Sequence, residues 1–144
     1  MYEIKFIPKE EMGMILPFLQ LLNEKTAVEV LEERIETMSR YDYHCVGVFD
    51  KGRLIAISGV WVLYKFYIGK HIEPDNVVVH PDYRGKQVGE QMMNWIHDYA
   101  KKNDCAVSEL NVYIANGRGQ KFWFEQGYRI IGFHMRKDLT ESGN

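Results

Sequence analysis

The chain of 144 residues has little that would commit it to an extracellular, membrane-bound or nucleic-acid-binding role. Its two cysteines, Cys45 and Cys105, show neither CxxC spacing nor the density of a secreted disulfide scaffold, so both are expected to be reduced and buried. No apolar run is long enough to cross a bilayer, and "MYEIKFIPKEE" lacks the basic and apolar regions of a secretory leader. A cytoplasmic protein without a membrane partner is therefore expected. Charge of neither sign dominates: 18 basic and 20 acidic residues give a formal net charge of -2, which offers nucleic acid no global field. The histidines, His44, His71, His80, His97 and His134, never fall into HExxH-type spacing, so no metal is expected. Also missing are GxxxxGK[ST], a GxGxxG after a first strand, internal repeats and low-complexity tracts. Any anion site has to be local.

What is present suits one domain, residues 1–144, with a hydrophobic fraction of 46% for its core. "YEIKFI" alternates as a strand does. Glu10 to Leu22 has helical spacing that Pro17 should kink or divide. Thr26 and Glu29 match a capping box ahead of Val30, Leu31, Ile35 and Met38. "HCVGVF" and "LIAISGVWVL" flank Asp50-Lys51-Gly52-Arg53, a hairpin signal, and Ile72 to Val79 supplies a third strand whose "NVVV" end reads as buried on both faces. A helix follows, with Val88, Met92, Ile96 and Tyr99/Ala100 on one face. "ELNVYI" and Tyr128 to Lys137 alternate as further strands, on either side of a short helix stopped by Gly127.

The segment "VVVHPDYRGKQVGEQMM", Val77 to Met93, runs from strand through a glycine turn directly into that helix. Such a junction gathers free backbone N–H groups at the positive end of the helix dipole, which makes a local anion site. Gly85 and Gly89 allow a phosphate to approach the backbone, and Arg84 and Lys86 add charge. A tight turn that merely needs glycine would look the same.

"YRGKQVGEQMM" resembles motif A of the GNAT superfamily of acyl-CoA-dependent N-acetyltransferases, Q/R-x-x-G-x-G/A. Arg84 takes the first position, Gly89 the last, and Gln87 stands where the middle glycine is usual. "NGRGQKFWFEQGY" resembles the family's motif B, N-x-x-A-x-x-F-Y-x-x-x-G-F, with Asn116, Phe122, Gly127 and Tyr128 in place, Gly119 for alanine and Trp123 for tyrosine. The resemblance implies an α+β (mixed α/β) fold: a twisted, mostly antiparallel sheet of about six to seven strands, flanked by about four helices and splayed at an acetyl-CoA cleft.

It also implies an N-acetyltransferase that moves the acetyl group of acetyl-CoA onto a primary amine of a small molecule by direct attack in a ternary complex. The alternatives are a protein or peptide N-acetyltransferase and a silent acyl-CoA-binding sensor. By the same resemblance, Val77, Val78 and Val79 pair with the pantetheine arm, and the Val77 amide polarises the thioester carbonyl. Arg84, Gly85, Lys86, Gln87, Val88, Gly89 and Glu90 surround the pyrophosphate. Asn116 bonds the cofactor arm and Trp123 packs on it or fills core, so that either Tyr128, Tyr113 or water protonates the thiolate or it leaves unaided. Glu73, eleven residues before Arg84, is the general base, with Asp75 and His71 as substitutes, since attack needs a neutral amine. Arg118, Lys121 and Arg129 could meet the 3′-phosphate. Trp61, Tyr64, Phe66 and Tyr67 line the acceptor side, where an aminoalkylphosphonate-like amine is one option, and "RIIGFHM" would allow a homodimer.

Overall fold

Strand pairing in the computed structural model, in which residues 1–141 are described, follows the sequence alternation through the first 110 residues. Strands β1 (Glu3–Ile7), β2 (Tyr43–Asp50), β3 (Arg53–Lys65) and β4 (Gly69–Val79) lie side by side in chain order as an antiparallel meander, and the short β5 (Val107–Ser108) joins β4 in parallel. The β2–β3 turn is Lys51-Gly52, both with positive φ (51° and 85°). Two left-handed residues in succession make the turn whose twist matches that of the strands it joins.

Before β2 the chain forms a 3-10 helix (Lys9–Ile15), α1 (Leu16–Leu22) and α2 (Val28–Met38). Pro17 sits in the first turn of α1, where its missing N–H is harmless, so it divides the segment as expected. The expected capping box does not form. Ala27, not Thr26, is the N-cap of α2, with no side-chain bond to the free amides, because the helix starts one residue too late for Thr26 to reach them. Glu29 still complements the dipole from the first turn.

The helix after the glycine turn, α3 (Val88–Lys102), packs against β2, β3, β4 and β5. Its buried side chains are Val88, Met92, Met93, Ile96 and Ala100, each stabilising the fold by about 1.5–3 kcal/mol for the larger ones, while Glu90, Asn94 and Asp98 face solvent. Beside it, Phe6 meets the rings of Trp95 and Tyr99 edge-on. A second cluster joins Met12, Ile15, Phe18 and Ile35 to Tyr43, Cys45, Ile57 and Val78. Of the three valines ending β4 only Val78 is buried; Val77 and Val79 are half-buried, so that strand end is not enclosed on both faces.

Residues 111–144 form a second unit, containing α4 (Gly117–Glu125). Gly127, at φ 94°, stops that helix as the sequence predicts. Neither 109–114 nor 128–137 forms a strand, so the described residues carry five strands where about six to seven were expected, with the expected four α-helices. Alternation supplies one apolar face, but a strand exists only through a ladder, and these segments have no ladder partner among the described residues. Cys105 also departs from expectation: it is half-buried in the turn after α3, whereas Cys45 is buried in β2.

Candidate active site

β4 carries an open edge. Along one side it pairs with β3 from Gly69 to Val79, whereas β5 covers its other side only at His71 and Ile72. From Glu73 to Val79 that second side has no strand among the described residues. An extended ligand bearing amide groups can therefore add to it as a strand would.

A bulge lies in the middle of this edge. Ile57 of β3 faces Val78 and Gly59 faces Asp75, so β4 takes one residue more than β3 between the two pairs. Asn76 absorbs the extra residue in the left-handed region, at φ 52°. Its side-chain amide donates to the Tyr43 hydroxyl at 3.2 Å, and the Trp61 indole N–H donates to Asp75 at 3.2 Å. Burial pushes the Tyr43 phenol well above its usual range, and burial likewise pushes the Cys45 thiol up to about 12.

Beyond β4 a short 3-10 turn (Pro81–Tyr83) leads to Arg84, Gly85, Lys86 and Gln87, all exposed. Gly85 has φ 75° and Gln87 has φ 61°. The position where a glycine would be usual thus keeps the left-handed backbone that glycine would give. Gln87 is the N-cap of α3 and offers no side-chain bond; the first intrahelical bond runs from Gln91 N–H to the Gln87 carbonyl. The preceding amides, through Glu90, are left without helical partners at the positive end of a 15-residue helix. Gly89, buried in the first turn, keeps the helix surface bare there. The Lys86 ammonium lies 5.3 Å from the Tyr83 ring centre and the Arg84 Nε–H reaches the Val79 carbonyl at 3.4 Å, so both side chains engage the segment that precedes the helix. Tyr83 donates to Asp50 at 2.7 Å, a bond that raises its own pKa.

Glu73 is half-buried on β4, its carboxylate 2.8 Å from Nε2 of His71, which is wholly buried. The other imidazole nitrogen meets the Gly69 carbonyl at 3.3 Å. Glu109, just past β5, accepts from Tyr67 at 2.5 Å, which raises the Tyr67 pKa. His71, Glu73 and Glu109 present ligand atoms within 4.8 Å of one another, a group that spacing alone does not reveal because β4–β5 pairing creates it. Within that group Glu73 is the hydrogen-bond partner of His71 Nε2, and Glu109 that of Tyr67. Asp75, the substitute base, is exposed and accepts from the Trp61 indole N–H, and the Trp61 ring lies tilted against that of Tyr43. Tyr64, Phe66 and Tyr67 are exposed around the β3–β4 hairpin tip. A cavity of about 290 Å³ lies between the 3-10 helix and α2, lined by Lys9, Met12, Ile35 and Glu36 among others, and includes no residue of β4 or α3.

Asn116 and Trp123 belong to the second unit. The Asn116 side chain accepts from Gly119 N–H at 2.9 Å and caps α4; a Cβ on Gly119 would come within 2.4 Å of the Asn116 amide nitrogen, which explains a glycine there. Trp123 stands edge-on to Phe122 and Tyr128. Tyr113 is exposed and Tyr128 half-buried. Sequence reasoning missed Tyr43 and Asn76. Asn inside a strand pattern is a left-handed signal that could have found the second; nothing local marks the first.

A sheet opened along one strand edge and followed by an uncapped helix start leaves backbone donors and acceptors of the kind an added strand or an anion pairs with. Residues 15–128 match the acetyltransferase (GNAT) family, and the chain belongs to it. It is 28% identical over 67 residues to an aminoalkylphosphonate N-acetyltransferase of Salmonella typhimurium, covering 46% of this chain and 44% of that protein. It is 28% identical over 110 residues to a glucosamine 6-phosphate N-acetyltransferase of Arabidopsis thaliana, covering 69% and 74%. The chain thus spans less than half the length of the Salmonella relative. Among solved structures, a possible acetyltransferase from Clostridium difficile superposes with a TM-score of 0.83 at 15% identity over 96% of this chain and 97% of that one. This likeness concerns the fold.

Proposed function

We propose that the protein is an N-acetyltransferase using acetyl-CoA and a small primary amine. The observation that carries this reading is the continuous run of an open β4 edge, a bulge at Asn76 and an uncapped α3 start, all within residues 73–90. Those features fit coenzyme A: the edge from Glu73 to Val79 suits the amide-bearing arm, and the amides of Gly85 to Glu90 with Arg84 and Lys86 suit a pyrophosphate. Acetyl-CoA supplies an activated acyl group. The chain's own contribution is a backbone donor at Val77 for the charge that builds on the carbonyl oxygen, and a carboxylate at Glu73 to take the proton from the attacking nitrogen. His71, buried beneath Glu73, fixes that carboxylate by its 2.8 Å bond. The two named relatives act on amines carrying a phosphonate or a phosphate, which supports a small anionic amine as acceptor. The family match runs across the boundary between the two units, which supports reading residues 1–144 as one N-acetyltransferase domain.

The test is thiol release from acetyl-CoA against a panel of aminoalkylphosphonates, amino sugar phosphates, polyamines, amino acids and basic peptides, with Glu73→Gln beside the native protein. The expected outcome is release that depends on one small-amine class and falls about 100-fold in the variant. Release with the peptides alone would make it a protein acetyltransferase. Binding of coenzyme A with no release above the blank would leave the silent sensor.

A further inference from the structure

We propose that Tyr43 and Asn76 are positioning residues that prop the β4 bulge, so that the Val77 amide is held at a fixed angle to the thioester; this rests on the acetyl-CoA reading above. Tyr43 belongs to β2, two strands from β4. Neighbouring strands stand about 4.8 Å apart, so a side chain can span the intervening strand only where that strand leaves a gap. Gly59 of β3 is the gap: a Cβ there would fall 2.0 Å from the Tyr43 hydroxyl and 2.4 Å from its ring carbons. The ring therefore passes over β3 at Gly59, and its hydroxyl accepts from Asn76 on the far side at 3.2 Å. Tyr43 is 2% exposed, so water does not compete for that bond.

The second half of the device secures the residue before. Trp61 lies tilted against Tyr43 with ring centres 5.2 Å apart, and its indole N–H holds Asp75. Asp75 and Asn76, the two residues preceding Val77, are thus fixed by side chains from β3 and β2. A bulge of this kind leaves ladder hydrogen bonds unmade, and Asn76 holds a left-handed backbone that asparagine tolerates better than most non-glycine residues but that no ladder bond secures. Without a prop such a feature relaxes. The buried phenol has no role in general-base or phosphate chemistry, and its single side-chain partner among the described hydrogen bonds is the bulge residue itself.

Two variants separate the prop from general packing. Tyr43→Phe keeps the ring over Gly59 and removes the acceptor; Asn76→Gly keeps the left-handed backbone and removes the donor. The first readout needs no ligand: hydrogen exchange of the Asp75–Val79 amides should quicken about tenfold in each variant, while the Met92–Ala100 amides of α3 keep their native rates. The second is the infrared stretch of acetyl-CoA labelled with carbon-13 at the thioester carbonyl. Bound to the native protein it should lie below its frequency in water, and in both variants the shift should shrink by about half or more, with affinity for coenzyme A by calorimetry held within about threefold. Native exchange and a native band in both variants would overturn the prop. Faster exchange with no carbonyl shift even in the native protein would overturn the part given to Val77 and leave the acetyl-CoA reading to be judged by thiol release.

Discussion

The two helices that follow the two motifs begin in opposite ways. At α3 the N-cap is a left-handed Gln87 that gives its amides no side-chain partner, with Arg84 and Lys86 exposed beside them. At α4 the Asn116 side chain accepts from the Gly119 amide, and Gln120 reaches back to the carbonyl of Ile114 at 2.8 Å. One helix start is open and cationic; the other is closed on itself. Motif resemblance makes both look like ligand sites, but only an end whose donors are left unspent has something to offer an anion. Two of the three departures from the family pattern, Gln87 and Gly119, are explained by the same contrast. Gln87 keeps the turn open by taking glycine's conformation, and Gly119 lets the cap close by leaving room for Asn116.

Three changes would break or sharpen this contrast. The largest effect is expected from Arg84→Glu combined with Lys86→Glu, which should weaken coenzyme A binding about 100-fold in low-salt calorimetry, with the gap narrowing as salt is raised. A loss that ignores salt would show that the open end does not act electrostatically. Gly119→Ala comes next. Crowding the Asn116 amide should remove the cap and destabilise α4 by about 1–2 kcal/mol, read as faster hydrogen exchange over 117–125, and Asn116→Ala should match it. The smallest effect is expected from Gln87→Gly: relief of the left-handed strain, offset by a more flexible unfolded chain, should raise stability by up to about 1 kcal/mol in urea unfolding and leave coenzyme A affinity within about twofold. A drop in stability would mean that the Gln87 side chain makes a contribution of its own.

What could be read in the sequence was what is local. α3 was legible because Val88, Met92 and Ile96 repeat at helical spacing, and the β2–β3 turn because Lys51-Gly52 accepts positive φ. The glycine turn that leads into α3 was legible through motif spacing. The capping box failed by a single residue at Ala27, and the pattern over 128–137 could not say whether a partner strand would be there. The prop was invisible for a different reason: Tyr43 and Asn76 are 33 residues apart and meet only because two antiparallel pairings set their register across Gly59. His71 and Glu109 likewise meet through the parallel β4–β5 pairing. Register is a property of strands chosen together, and no single stretch contains it.

Cys45 stands opposite Gly59, and Gly59 opposite Asp75, so a free thiol sits in the same row of the sheet as the bulge. On the acetyl-CoA reading proposed above, such a thiol carries the hazard of acylating itself by thioester exchange. Burial pushes that thiol up to about 12, which disfavours the nucleophilic thiolate near neutral pH. The side chain that fills the core beside the bulge is thereby kept in its unreactive thiol form.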